Sequence, residues 1–269
     1  MNIKVCIAGA TGWTGGCIAK SILNGKVSGF QITGAVARKT AGQDLGKALG
    51  LTESGITIKG NLKEALTKDT EVLIDYTNPT AVKENVLNAL ESGVSVVIGT
   101  SGLTAGDYGE IETFAQKQSQ GVIAAGNFSI TAALVKHFSL IASDHIPHWE
   151  VIDYADGDKV DAPSGTTREL AEALGNRNEN RLVRPIDEII GSKESRGAQV
   201  AGTPVHSIRL PSYMISFETL FGLPNERLTI RHDAGAGAEP YVNGTLLAVK
   251  KATEITGLIR GLDTLLFRG

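Results

Sequence analysis

Three short stretches of this 269-residue chain place chemically useful residues at telling spacings. The first is Gly9-Ala10-Thr11-Gly12-Trp13-Thr14-Gly15, a G-x-x-G-x-x-G run. Between a strand and a helix, such glycines let the backbone approach a pyrophosphate. The helix start then supplies N–H donors and the positive end of its dipole. The bland alternative is a glycine-rich turn that holds no ligand. The second stretch is Ala35-Val36-Ala37-Arg38-Lys39. A dinucleotide site built for NAD carries a carboxylate here to bind the ribose 2′-OH, whereas two adjacent cations suit a 2′-phosphate and so NADPH. A solvated basic loop is the alternative. The third stretch runs from Asp158 to Glu169 and reads DKVDAPSGTTRE. The backbone N–H groups of Gly165 and Thr166, with Ser164 beside them, form a cradle for a carboxylate, and Lys159 stands near as a proton donor or anchoring cation. Thr166-x-x-Glu169 also fits a capping box, which needs no ligand.

Several weaker signals accompany these. Asp75-Tyr76-Thr77-Asn78-Pro79 and Gly99-Thr100-Ser101-Gly102 each follow an expected strand, where loops of a parallel sheet meet ligands. Gly126-Asn127-Phe128-Ser129 follows another and reads as a hinge or cofactor contact. Ser164 lies outside any G-x-S-x-G elbow, so nucleophilic catalysis is not expected of it. His145 and His148 flank Pro147 without a third ligand at metal spacing, so no metal site is expected; His206 and His232 read as packing or edge residues.

Strands and helices must position these groups. Strands are expected at Ile3–Ala8, Phe30–Val36, Val72–Tyr76, Val94–Ile98 and Gly121–Ala125. Helices are expected at Gly12–Leu23, Leu62–Thr67, Ala81–Ser92 and Tyr108–Gln118. That alternation implies a parallel, doubly wound sheet. Beyond about residue 127 come helices at Ala132–Ser143 and Thr166–Leu174, and strands at Trp149–Tyr154, Gln199–Leu210, Met214–Phe221 and Arg227–His232. These form a second, α+β domain with an antiparallel or mixed sheet. A helix from about Asn243 to Thr253 and a short apolar tail, Leu258–Phe267, close the chain.

Composition narrows the function. Apolar residues make up 42% and charged residues 20%, as in an ordinary globular protein. Glycine is enriched, at 32 residues, but without a G-X-Y repeat, which points to turns and ligand loops. A net charge of -3 offers no global basic field for nucleic acid. Two cysteines build no disulfide framework, so Cys6 and Cys17 read as small buried residues in a reducing compartment. The 118–135 run is too polar to span a membrane and the first residues resemble no signal peptide, so a cytoplasmic location is expected.

Together these motifs resemble the dihydrodipicolinate reductase (4-hydroxy-tetrahydrodipicolinate reductase) family over nearly the whole chain. The most specific is Lys159-Val160-Asp161-Ala162-Pro163-Ser164-Gly165-Thr166; His206-Ser207-Ile208-Arg209 also fits. The resemblance implies an α/β fold: a Rossmann-type doubly wound parallel sheet in residues 1–127 and 241–269, and an α+β domain carrying a mixed sheet in 128–240. It implies hydride transfer from NADPH, with NADH possible, to a small anionic substrate, a cyclic unsaturated imine dicarboxylate of lysine and diaminopimelate biosynthesis. It also implies a homotetramer. Gly9, Thr11, Gly12, Trp13, Gly15, Arg38, Lys39, Thr77, Gly99, Thr100, Asn127 and Phe128 would serve the cofactor. Ser101, Ser164, Gly165 and Thr166 would hold a carboxylate, and Lys159 would anchor the substrate or donate the proton. Two stretches depart from the family. Ala155 and Asp156 stand where it carries adjacent histidines, the first its presumed general acid, and Ala234–Ala238 lacks a basic residue often found near the cofactor. Lys159 is the closest retained candidate for the proton donor, with Asp156, Asp158 and Tyr154 as weaker candidates. A reductase of another cyclic imine or imino acid, or a catalytically silent nucleotide-binding homologue, are the alternative readings.

Overall fold

The computed structural model of the protein describes residues 2–211 and 215–267. The chain divides into two compact units, Met1–Ile130 with Ala238–Gly269, and Thr131–Gly237. The first opens with β1 (Ile3–Ala8), α1 (Trp13–Leu23), β2 (Phe30–Val36), α2 (Leu45–Ala48) and α3 (Leu62–Ala65). It continues through β3 (Val72–Asp75), α4 (Val82–Glu91), β4 (Ser95–Ile98), α5 (Ala105–Gln118) and β5 (Gly121–Ala124). All four residues of β3, β4 and β5 are buried, as strands covered on both faces must be. α5 starts at Ala105, earlier than the expected Tyr108, because Thr104 and Asp107 cap it reciprocally. α2 was not legible in the sequence.

α6 (Ile130–Ser143) leads into the second unit. There follow β6 (Trp149–Ala155), α7 (Gly165–Arg177), two short 3-10 turns at Ile186–Glu188 and Lys193–Arg196, β7 (Ala198–Val200), β8 (Thr203–Arg209), β9 (Ser216–Leu223) and β10 (Glu226–Asp233). The sheet order is β10-β9-β6-β8-β7. β6 and β8 run parallel and the other neighbours antiparallel, giving a mixed sheet. One face packs on α6 and α7 through Val135, Trp149, Val151, Leu174, Phe217 and Phe221. The single strand expected at Gln199–Leu210 is a hairpin, broken where Ala201 and Gly202 adopt φ of 49° and 78°, the left-handed pair that a two-residue turn requires. Of the strand expected at Met214–Phe221, Met214 lies outside the described residues.

α8 (Glu239–Ala252), β11 (Gly257–Arg260) and α9 (Leu262–Phe267) return to the first unit. α8 starts at Glu239 rather than near Asn243, with Pro240 in its first turn, where a missing N–H costs nothing. The expected apolar tail is instead a sixth strand and a short helix. β11 pairs in parallel with β5, completing the order β11-β5-β4-β3-β1-β2. This parallel sheet is the Rossmann-type sheet expected from the sequence.

Candidate active site

In the first unit, β1 feeds a turn that only glycines can build. Gly9 has φ of +82°, and a Cβ there would lie 2.2 Å from the Tyr76 carbonyl oxygen. A Cβ on Gly15 would lie 2.3 Å from the Gly9 carbonyl, so this glycine lets α1 close onto the turn. Gly12 caps α1 without any side-chain hydrogen bond. The donors of the first turn therefore remain for an anion, where the helix dipole favours one. Beside the turn lies a cleft of about 1200 Å³ lined by Gly9, Thr11, Gly12, Arg38, Lys39 and Thr77, among others. Arg38 and Lys39 are exposed and make no ion pair among the described residues, while Glu64 and Glu84 line the same cleft. The donors, the close backbone approach and the two cations fit a dinucleotide phosphate chain.

A fully buried carboxylate shapes the neighbouring loops. Asp75 Oδ1 accepts from the Thr77 amide at 3.0 Å, the Thr77 hydroxyl at 2.7 Å and the Thr100 hydroxyl at 2.7 Å, while Oδ2 accepts from Asn85 at 2.8 Å. The hydroxyls of Thr77 and Thr100 thus join the loops after β3 and β4 to each other. Burial, with the Asp75 charge adding to it, pushes the Cys6 thiol up to about 12, so Cys6 is an inert core thiol; Cys17 is only partly buried. Tyr76 lies flat against Gly99, where a Cβ would sit 2.1 Å from its ring, and its hydroxyl meets Thr245 at 2.7 Å. A smaller pocket of about 170 Å³ is lined by Trp13, Thr14, Tyr76, Gly99, Gly126, Asn127, Phe128 and Tyr241. Trp13 is 57% exposed although it opens a core helix, and it packs edge-on against Tyr241. Of the residues assigned to the cofactor, ten line these two pockets. Gly15 and Thr100 act behind them, and Ser101 is exposed and lines neither.

In the second unit, Asp153 on β6 gathers the other group. It is 1% exposed and accepts from the Ser164 amide at 2.9 Å, the Ser164 hydroxyl at 2.7 Å, the Thr167 hydroxyl at 2.9 Å and Arg209 Nη2 at 2.6 Å. Burial pushes this carboxyl up, but the bonds from Arg209, Ser164 and Thr167 outweigh it and hold its pKa below the ordinary value. Arg209 Nη2 also donates to the Asp161 carbonyl at 2.7 Å, tying the 156–164 loop to the sheet. Ser164, rather than Thr166, caps α7, accepting from the Thr167 amide, and Glu169 pairs with Lys136 instead of closing a capping box. The Ser164 hydroxyl is thus committed to structure. Lys159 Nζ lies 2.6 Å from Asp161 Oδ1, at the amino terminus of α7. Lys159 foremost, and the Gly165 amide in lesser part, hold the Asp161 carboxyl below its usual range.

The candidate proton donors separate cleanly. Tyr154 lies on the opposite face of the sheet from Asp153, where its hydroxyl donates to Glu218 at 2.6 Å and Arg231 sits 4.8 Å from its ring centroid. Burial and Glu218 push it up to about 12, so it is no donor to the α7 site. Asp156 Oδ1 accepts from the Asp158 amide in a local turn. Ala155 is buried. His206 pairs with Glu150 at 2.7 Å and His232 Nδ1 lies 3.0 Å from the Thr131 hydroxyl. Among the described residues, no cluster of His, Cys, Asp or Glu could hold a metal, and no helix is long and apolar enough to cross a membrane.

Comparison with known proteins decides the family. A family model described as dihydrodipicolinate reductase, N-terminus, matches residues 3–128, and one described as dihydrodipicolinate reductase, C-terminus, matches residues 128–266. The chain belongs to the dihydrodipicolinate reductase family. Its 4-hydroxy-tetrahydrodipicolinate reductase relatives include one from Desulfitobacterium hafniense (strain DSM 10664 / DCB-2), 36% identical over 98% of this chain and 99% of that protein. Another, from Carboxydothermus hydrogenoformans, is 37% identical over 98% of this chain and 99% of that protein. Among solved structures, the dipicolinate-bound dihydrodipicolinate reductase from Paenisporosarcina sp. TG-14 superposes with a TM-score of 0.86 at 28% identity, covering 98% of this chain and 100% of that one. The family consists of NAD(P)H-dependent reductases of lysine and diaminopimelate biosynthesis, and this chain is such an oxidoreductase with a nicotinamide cofactor.

In the sequence Asp75, Asp161 and Arg209 stand only as letters within motifs, and Asp153 only as part of a strand. Each is an acid or base in an otherwise apolar or loop setting, a signal that becomes legible once its hydrogen-bonding partners are known.

Proposed function

We propose that this chain uses NADPH in preference to NADH to reduce a cyclic, unsaturated imine dicarboxylate, with Lys159 as the anchoring cation and proton donor. The bound nicotinamide supplies the hydride. The observation that carries the reading is the Lys159 ammonium, held 2.6 Å from a carboxylate at the amino terminus of α7. That pairing is the geometry in which a substrate carboxylate would meet the same ammonium and the amides of Gly165 and Thr166. The asymmetric reduction of a C=N bond needs a proton where the hydride does not go, and Ala155 offers none. Lys159 is the one cation in the 155–166 segment, and it stands 2.6 Å from the Asp161 carboxylate. The dipicolinate-bound relative from Paenisporosarcina supports a pyridine-type dicarboxylate as the ligand class. Arg38 and Lys39 support NADPH, since neither makes an ion pair among the described residues. We read the protein as a cytoplasmic homotetramer with Ser101 as a further carboxylate contact.

Buried Ala155 favours one second reading, a cyclic imine whose nitrogen is protonated more easily than that of the family substrate. Crystals grown with pyridine-2,6-dicarboxylate test the site. A carboxylate within hydrogen-bond reach of the Gly165 and Thr166 amides is the expected result, and a ligand bound elsewhere with this turn bare would refute the reading.

A further inference from the structure

We propose that Asp161 is an internal competitor for the substrate-carboxylate site, occupying Lys159 until an incoming carboxylate displaces it, and so setting the affinity for dicarboxylates. The inference rests on the function proposed above.

Four features lead to it. Asp161 Oδ1 lies 2.6 Å from Lys159 Nζ, a charge-assisted contact at hydrogen-bond distance. The same carboxylate meets the Gly165 amide at the amino terminus of α7, in the place where the helix dipole favours an anion. Ser164 caps α7 by accepting from the Thr167 amide, so the helix keeps that cap when Asp161 leaves the Gly165 amide. The Asp161 side chain is also free to move while its backbone stays fixed: Arg209 Nη2 grips the Asp161 carbonyl at 2.7 Å, and the side chain is 41% exposed. Displacement then needs a side-chain rotation and no refolding of the loop.

Charge makes the competition matter. Between Ala155 and Asp161 the loop carries three carboxylates, Asp156, Asp158 and Asp161, against the single ammonium of Lys159. A dianionic substrate meets repulsion there, and only by exchanging places with Asp161 does it gain Lys159. The exchange conserves ion pairs: the Lys159–Asp161 contact breaks, a Lys159–carboxylate contact forms, and Asp161 passes to water. The net gain is the difference between two similar pairs, so affinity is low by design of the loop.

Isothermal titration calorimetry of pyridine-2,6-dicarboxylate into the intact protein with saturating NADPH tests this on the unmodified chain, Asp161→Asn and Asp158→Asn. Asp161→Asn keeps the size and removes the competing charge, and should tighten binding about ten-fold or more, on the scale of a lost charge-assisted contact. Asp158→Asn removes an equal charge from the same loop without touching Lys159, and should change affinity by less than about two-fold. Equal tightening in both variants would show a general charge effect and overturn the proposal, as would unchanged or weaker binding to Asp161→Asn. Because the variant also alters the loop, a second measurement uses the unmodified chain. In a crystal structure with the dicarboxylate bound, the Lys159–Asp161 distance should open well beyond 2.6 Å; an intact pair beside bound ligand would overturn the proposal. No binding to any of the three proteins would sink the dicarboxylate reading itself, whereas binding without the Asp161 effect sinks only this inference.

Discussion

The Asp153–Arg209 pair yields the sharpest energetic prediction. Asp153 is 1% exposed and the Arg209 side chain 16%, with 2.6 Å between Oδ2 and Nη2. Asp153→Asn preserves the shape and can still accept from Ser164 and Thr167, but it removes the charge facing a mostly buried guanidinium. Breaking one partner of a buried pair costs about 3–5 kcal/mol, because the other charge is left uncompensated. Among the described residues Arg209 Nε has no hydrogen-bond partner and the Nη atoms otherwise donate to backbone carbonyls, so no second carboxylate compensates the charge. Ser164→Ala, which removes the α7 cap and one donor to Asp153, should cost only about 1–2 kcal/mol. The assay is urea unfolding followed by Trp149, which is 3% exposed in the second unit, in a Trp13→Phe background that silences the only other tryptophan. With m near 2 kcal/mol/M, the Asp153→Asn midpoint should fall by about 1.5–2.5 M. A loss below about 1 kcal/mol, or one no larger than that of Ser164→Ala, would refute the idea that the ion pair ties the loop to the sheet.

Other outcomes follow from the same geometry. Gly9→Ala should weaken NADPH binding at least ten-fold and cost about 1–3 kcal/mol of stability, since it strains a backbone at φ +82° against the Tyr76 carbonyl; Gly109→Ala, with nothing within 4 Å, should stabilise α5 by about 0.5–1 kcal/mol in thermal melts. Arg38→Ala should lose about 1–3 kcal/mol of NADPH binding and leave NADH nearly untouched in calorimetry; equal losses would show that Arg38 does not read the 2′-phosphate. The second unit should lose stability in two steps as pH falls. Burial depresses His232 below 6.5, so the unfolded chain takes up a proton first and stability declines as pH drops through that value. Asp153 and Asp161 lie below 3.8 in the folded state, so their contribution is whole above that value and is lost as pH falls through their folded pKa. In Trp149 melts, His232→Asn should remove the first step and leave the second.

The parallel sheet was legible because buried strands such as Val72–Asp75 and Ser95–Ile98 are continuous apolar runs separated by helices at regular spacing. β11 escaped notice because Gly257–Arg260 is short and gains its place only by pairing with β5, distant in sequence. The hairpin turn at Ala201-Gly202 was hidden because alanine rarely adopts a positive φ. At the site, the glycines and Lys159 declared themselves by type and spacing. Asp153, Asp161 and Arg209 did not, because their role lies in contacts such as Arg209 to Asp153, 56 residues apart. The capping box read at Thr166 failed for a related reason. Ser164 is a better-placed cap, and Glu169 finds Lys136 on α6.

On the proposed mechanism, Lys159 protonates an imine dicarboxylate in the place of the missing histidine acid. Steady-state loss of NADPH absorbance with enzymatically generated 4-hydroxy-tetrahydrodipicolinate tests it most directly, comparing the unmodified chain, Lys159→Ala and the Ala155→His/Asp156→His double variant. The predicted result is turnover slower than about 10 per second for the unmodified chain. Lys159→Ala should lose about 10²–10⁴-fold of that rate, and the double variant should exceed the unmodified chain. Full turnover that survives Lys159→Ala, or no NADPH oxidation by any of the three proteins, would show that Lys159 does not take this role.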